Sequence, residues 1–193
     1  LAWLGKTARL AAWSAFLVLG LLAMPWLAQV PLDAGLHQVE TLEISIRHRF
    51  YFWHYAAEWA LERPWFGWGY DSSADFPNRG IAPWRDYPTV IPLHPHNAAL
   101  QIWLEMGLVG VLLGVAVVVR TIRATEAHGD RWAPWLAAAA FAALSVANTG
   151  YGLWQTQWVA ALAWLVVYAR VAIAVRPAIG RPSVAERGFG PAG

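Results

Sequence analysis

From Asn97 to Val119 the chain carries a single charged residue, Glu105. Wound as a helix at about 1.5 Å per residue, this segment is roughly 35 Å long, enough to cross a hydrocarbon core of about 30 Å. Two more charge-free runs extend from Leu10 to Leu32 and from Trp132 to Ala169. The last is too long for one crossing and is interrupted by Asn148-Thr149-Gly150-Tyr151-Gly152, so it is expected to form a helical hairpin with arms of about 16 or 17 residues. The expected fold is therefore all-α: a polytopic transmembrane helical bundle of four spans.

Composition agrees. Hydrophobic residues make up 58% of the chain and charged residues 13%, which leaves too little polar surface for an ordinary soluble domain. The 14 Trp suit a membrane interface, where an indole keeps its apolar body in lipid and its N–H in water. With no Cys, disulfides, thiolate metal sites and Cys nucleophiles are excluded, and the absence fits either side of a membrane. The chain begins at Leu1 without the basic stretch and small-residue cleavage site of a signal peptide, and reads as the C-terminal part of a longer membrane protein.

Lys and Arg set the expected orientation. Segments 1–9, 120–131 and 170–193 must share one side, and they hold nine cations (Lys6, Arg9, Arg120, Arg123, Arg131, Arg170, Arg176, Arg181, Arg187) against Glu126, Asp130 and Glu186. That side is cytoplasmic by the positive-inside rule. The 33–96 loop holds five Arg against eight acids and is expected to face outward, into the periplasm of a bacterium whose inner membrane carries the protein. The resulting domains are 1–32 (first span with its cytoplasmic flank), 33–96 (periplasmic loop), 97–119 (second span), 120–131 (cytoplasmic loop), 132–169 (hairpin) and 170–193, a basic tail expected to be disordered. The net charge of +2 follows from this asymmetry and makes no case for nucleic acid as a partner.

Within the large loop, residues 49–63 place Arg49, Trp53, Ala56, Ala57 and Ala60 on one helical arc, with His54, Glu58 and Glu62 opposite. This pattern predicts an amphipathic helix lying in the interface. Pro64 stops it, and Trp65-Phe66-Gly67-Trp68-Gly69-Tyr70 supplies glycines for a sharp turn. Arg49 projects from the apolar stripe, where it either snorkels to lipid phosphates or recognises a phosphate in a site. Arg47 falls on the polar arc. For Arg47, Arg63, Arg79 and Arg85 a solvated charge or a local ion pair competes with a binding role, and Arg79 and Arg85 gain weight because their segment leads into the histidines.

His94-Pro95-His96-Asn97 stands where that loop meets the second span. A His-x-His pair in an extended segment can hold zinc, but no third ligand is marked. A His at a helix mouth can also cap backbone or meet lipid headgroups. The third reading is general base catalysis. Asn97 is a favoured N-cap, and the open N–H groups and positive dipole end of the helix it starts would favour an anion beside a neutral His96. Glu105, isolated in a span, is expected to bond within the bundle, with orientation of His96 or a loop Arg as the other role. Trp65, Trp68 and Trp84 serve as interface anchors or stack on sugar.

Arg49-x-x-x-Trp53, then Pro64-x-Phe66-Gly67-x-Gly69, then His96-Asn97-x-x-Leu100-Gln101-x-x-x-Glu105-x-Gly107-x-x-Gly110, over residues 45 to 115, resembles the C-terminal half of bacterial O-antigen ligases and the related O-antigen polymerases. The resemblance implies an all-helical membrane enzyme with a large periplasmic loop. Such an enzyme moves a glycan from an undecaprenyl pyrophosphate carrier to a glycolipid or polysaccharide acceptor, without a metal, a nucleotide sugar or any other cofactor. It makes Arg49 and His96 the catalytic pair, a pyrophosphate clamp and a base. Arg79, Arg85, His94, Asn97 and Trp53 are the candidate substrate contacts. The expected partners are a lipid-linked oligosaccharide, its acceptor and membrane lipids. A polymerase or protein O-glycosylating transferase would use the same donor, and a non-enzymatic membrane component or a transporter remains an alternative.

Overall fold

The computed structural model describes residues 6–74, 93–127, 129–150 and 152–175, and every regular element among them is helical. The order is α1 (Lys6–Leu27), α2 (Val30–Asp33), a 3-10 turn at Leu36–Gln38, α3 (Ile44–Glu62), a second 3-10 turn at Ser72–Ala74, α4 (Ala98–Glu126), α5 (Gly129–Ala147) and α6 (Thr156–Ala174). Two of these, α4 and α6, are long and apolar enough to cross a membrane; the apolar stretches Ala11–Leu27 and Trp132–Ala147 are shorter. Large apolar side chains such as Phe16, Trp135, Trp164 and Tyr168 lie exposed on the outside, a surface that suits lipid better than water.

α4 is the central post, packed on α1, α3 and α5. α1 contains Pro25, which has no N–H to give to the carbonyl of Leu21. That freed carbonyl accepts the indole N–H of Trp103 from α4 at 2.7 Å. α1 ends at Leu27, short of the expected Leu32, and Gln29 Nε2 donates to the carbonyl of Pro25 at 2.9 Å.

α3 begins five residues before the amphipathic arc that predicts it. Its Ala56, Ala57 and Ala60 are fully buried with Leu100, Trp103 and Leu104 of α4 and Ala28 after α1. The alanine arc expected to lie on the membrane surface thus faces protein. Side chains this small let helix backbones approach closely, so the stripe is a packing seam.

The second span is broken. Gly107, at φ 60° and ψ −156°, interrupts α4 and opens backbone groups on both sides of the break. Residues 64–69 close them: Trp68 and Gly69 donate to the carbonyls of Leu104 and Glu105, both at 2.9 Å, while Leu108 and Val109 donate to those of Pro64 and Trp65 at 2.7 and 3.2 Å. Backbone irregularity inside an apolar segment is tolerated where protein supplies such partners. The approach leaves no room for side chains. A Cβ on Gly67 would lie 2.5 Å from the Glu105 carbonyl carbon, and one on Gly107 would lie 2.6 Å from the Phe66 nitrogen.

The long apolar block divides between Ala147 and Thr156. Its arms, α5 and α6, each have 19 residues, more than the uncharged run suggests, because both helices continue past its ends.

Candidate active site

The C-terminal end of α1, the N-terminal end of α4 and the α5–α6 turn meet at one end of the molecule. There the amide of Asn97 approaches Met24 Sδ at 3.5 Å, and Ala99 N–H donates to Asn148 Oδ1 at 3.2 Å. Asn97 is the N-cap of α4, its Oδ1 accepting from Leu100 N at 2.9 Å. The amides of Ala99 and Leu100 are therefore occupied by the two asparagine side chains. The open helix end expected to receive an anion is closed at these groups.

His94 and Pro95 are buried, and His96 takes the left-handed conformation at φ 52°. A non-glycine residue there costs about 1 kcal/mol or more, and such strain persists where surrounding contacts fix it. Three contacts do so here. Trp53 on α3 donates its indole N–H to the Pro95 carbonyl at 2.9 Å, His96 N–H donates to His94 Nδ1 at 3.2 Å, and the two imidazole rings meet edge to face at 4.2 Å. The segment is thus bent at His96 where sequence alone favours an extended one.

The contact at His96 Nδ1 is decisive for its chemistry. It lies 2.9 Å from the carbonyl oxygen of Gly150, which can only accept, so Nδ1 carries the proton. In the neutral ring Nε2 then holds the lone pair. The preceding carbonyl, that of Thr149, accepts Nη1 of Arg49 from α3. A guanidinium has five donors, so this bond leaves further N–H groups for another partner. Arg47 is held elsewhere, with Nε donating to the His37 carbonyl at 2.7 Å, and Arg63 stacks over Trp68 at 3.8 Å.

Both nitrogens of His94 are engaged, Nδ1 by the His96 amide and Nε2 by the Gln155 side-chain amide at 3.2 Å. Burial above all, then its neighbours His96 and Arg49, lowers its pKa from the ordinary 6.5 to about 4. Gly152 lies flat against the ring, and a Cβ there would come within 2.7 Å of His94 Cδ2.

Beneath this cluster, Glu105 is 1% exposed and its carboxylate collects four donors: Ser73 Oγ at 2.6 Å, Gln101 Nε2 at 2.9 Å, the Asp71 amide at 3.0 Å and the Trp154 indole. Gln101 in turn accepts from Leu153 N at 2.8 Å. Glu105 therefore ties the outer segment to the α5–α6 turn and touches neither His96 nor a described arginine of the loop. Between these parts opens a cleft of about 340 Å³ with His94 in its wall.

The structure thus brings together Arg49, Trp53, His94, His96 and Asn97. Arg79 and Arg85, like Trp84, lie outside the described residues. Sequence reasoning missed the carbonyls of Thr149 and Gly150, because a backbone role leaves no mark on residue type. It also named Gln101 in the motif without giving it a role, and passed over Trp154 and Gln155. Their polarity inside an apolar region was the available clue.

The O-antigen ligase family profile matches residues 1–115. The chain is 28% identical over 164 residues to a protein of Rickettsia conorii named "putative polysaccharide ligase", an alignment that covers 81% of this chain and 39% of the relative. It is 29% identical over 136 residues to a protein of the same name from Rickettsia prowazekii, covering 67% of this chain and 33% of the relative. The chain thus spans less than half the length of these relatives. No solved structure matches it. The profile's span includes Arg49, Trp53, the two histidines, Asn97 and Glu105 in their observed order, and the chain belongs to the O-antigen ligase family.

Proposed function

We propose that this chain holds the reacting centre of a membrane glycosyltransferase that ligates a polysaccharide from a lipid pyrophosphate carrier to a glycolipid or polysaccharide acceptor at the outer face of the bacterial inner membrane. The observation that carries this reading is the His96 Nδ1–H···O=C Gly150 bond, which directs a basic Nε2 away from the turn. An acceptor hydroxyl gives its proton to Nε2 as its oxygen attacks the anomeric carbon. The bond from that carbon to the phosphate oxygen breaks, and its electron pair leaves with the pyrophosphate. Arg49, fixed by Thr149 yet with donors to spare, neutralises the charge that develops there. In-line attack inverts the anomeric centre.

His94 is a positioning residue that holds the His96 amide, and its engaged nitrogens argue against a zinc-binding pair. Trp53 and Asn97 position the same segment from α3 and α4. The likeness to the Rickettsia proteins named polysaccharide ligases favours ligation over polymerisation of the same donor.

The test is transfer by the full-length enzyme carrying His96→Ala. Activity should fall by about 10²- to 10⁴-fold, with normal amounts of protein in the membrane. Activity close to wild type would remove His96 as the base.

A further inference from the structure

The cleft beside His94 is not needed to explain a base or a pyrophosphate clamp, and its lining is of a different character. Its volume, about 340 Å³, falls within the range of small-molecule sites, about 300 to 1,000 Å³. One wall is aromatic: Trp154, its indole N–H fixed on the Glu105 carboxylate, stands against Tyr70 with ring centroids 4.9 Å apart at 46°. Asp71, Gln155 and Gln157 line the cleft with it. The exposed Gln157 amide offers a donor and an acceptor side by side, which matches adjacent hydroxyls on a ring, while the Gln155 amide is held by Gly152 N–H and His94 Nε2. The described residues that line the cleft include no Lys or Arg.

A fixed aromatic face beside amide and carboxylate side chains forms a binding surface for a polyol with an apolar C–H face. We infer that this cleft is a saccharide subsite that seats one pyranose ring of a glycan next to the reacting centre. The inference rests on the glycosyl-transfer reading and adds the group that selects the sugar. His94 forms part of the cleft wall, and its ring lies 4.2 Å from that of His96, so a sugar in the cleft sits one imidazole away from the base. Trp154, Gln155 and Gln157 belong to the hairpin, beyond the segment matched by the family profile. The residues that would discriminate between glycans then lie largely on the same hairpin whose Thr149 and Gly150 carbonyls hold Arg49 and His96.

The donor glycan and the acceptor glycan present the same chemistry, and two probes separate them. One is the lipid-free core oligosaccharide from cells lacking this gene; the other is the oligosaccharide released by mild acid from the lipid-linked donor. Each is titrated against the full-length protein in lipid nanodiscs, with saturation-transfer NMR reading contact of the sugar protons. Tyr70→Ala and Gln157→Ala alter exposed side chains, so the fold should survive both. Each should weaken one of the two probes by about tenfold. Loss for the core fragment makes the cleft an acceptor subsite, and loss for the donor fragment makes it a donor subsite. Unchanged affinity of both variants for both probes overturns the proposal. Gly20→Ala, with open space around it in α1, serves as the reference and should bind both probes as wild type does; full turnover in His96→Ala would count against the base without touching the cleft.

Discussion

Arg49 and His96 are held by consecutive carbonyls of one turn: the guanidinium donates to Thr149, and the imidazole Nδ1–H donates to Gly150 at 2.9 Å. A shift of that turn moves both groups together. The proposed clamp and base are therefore tied to one short stretch of backbone, and a substitution in the turn should affect both at once.

Arg49→Lys tests the clamp. A lysine ammonium can reach one partner as a point charge, but it cannot hold Thr149 and still present a planar fork to two phosphate oxygens. Glycan transfer by the full-length protein should fall about tenfold to a hundredfold. Arg47→Lys, at a residue that anchors His37, should leave transfer near wild type. Equal tolerance of the two substitutions at normal protein levels would reduce Arg49 to a structural anchor.

The break in α4 is tested by glycine substitutions. Gly67→Ala and Gly107→Ala force a Cβ to within 2.6 Å of backbone and also place alanine at φ near +60°. Both should deplete folded protein strongly, as read from the yield of monodisperse protein after detergent extraction. Gly20→Ala, in α1 with open space around it, should yield as much as wild type. Normal yield from Gly107→Ala would show that α4 can close without the break.

His94 gives a pH dependence whose direction is fixed. Its pKa is about 4 in the folded chain and about 6.5 when unfolded, so between these values only the unfolded chain gains the proton. Stability present above pH 6.5 is lost as the pH falls toward 4, and the loss levels off below that. Thermal unfolding of the solubilised protein should show a steeper decline over this window for wild type than for His94→Gln. Parallel curves would mean that His94 titrates normally.

The proposed orientation can be read directly in cells. Alkaline phosphatase fused after Asp75 should be active, and the same enzyme fused after Arg181 should be inactive. The opposite pattern would place Arg49 and His96 on the cytoplasmic side, away from any periplasmic glycan.

Much of the helical framework is legible in the sequence, because charge-free runs, Pro64 and the Asn148-Thr149-Gly150 interruption are local features. Asn97 as an N-cap is legible for the same reason. The break at Gly107 is not: a glycine in an apolar run looks the same whether it packs or bends, and what fixes it is the distant 64–69 loop. The alanine arc of α3 was readable as a stripe but not as a seam, since periodicity identifies an apolar face and not what covers it. The His96 tautomer depends on a carbonyl in another helical hairpin, which no spacing rule reaches.

The suture between residues 64–69 and α4 also constrains how the protein is made. The carbonyls of Leu104 and Glu105 and the amides of Leu108 and Val109 find their partners only on a segment that leaves the ribosome earlier. α4 therefore cannot mature as an independent span. Its backbone pairing is completed only by that earlier segment, so α4 and residues 64–69 must reach their final places together.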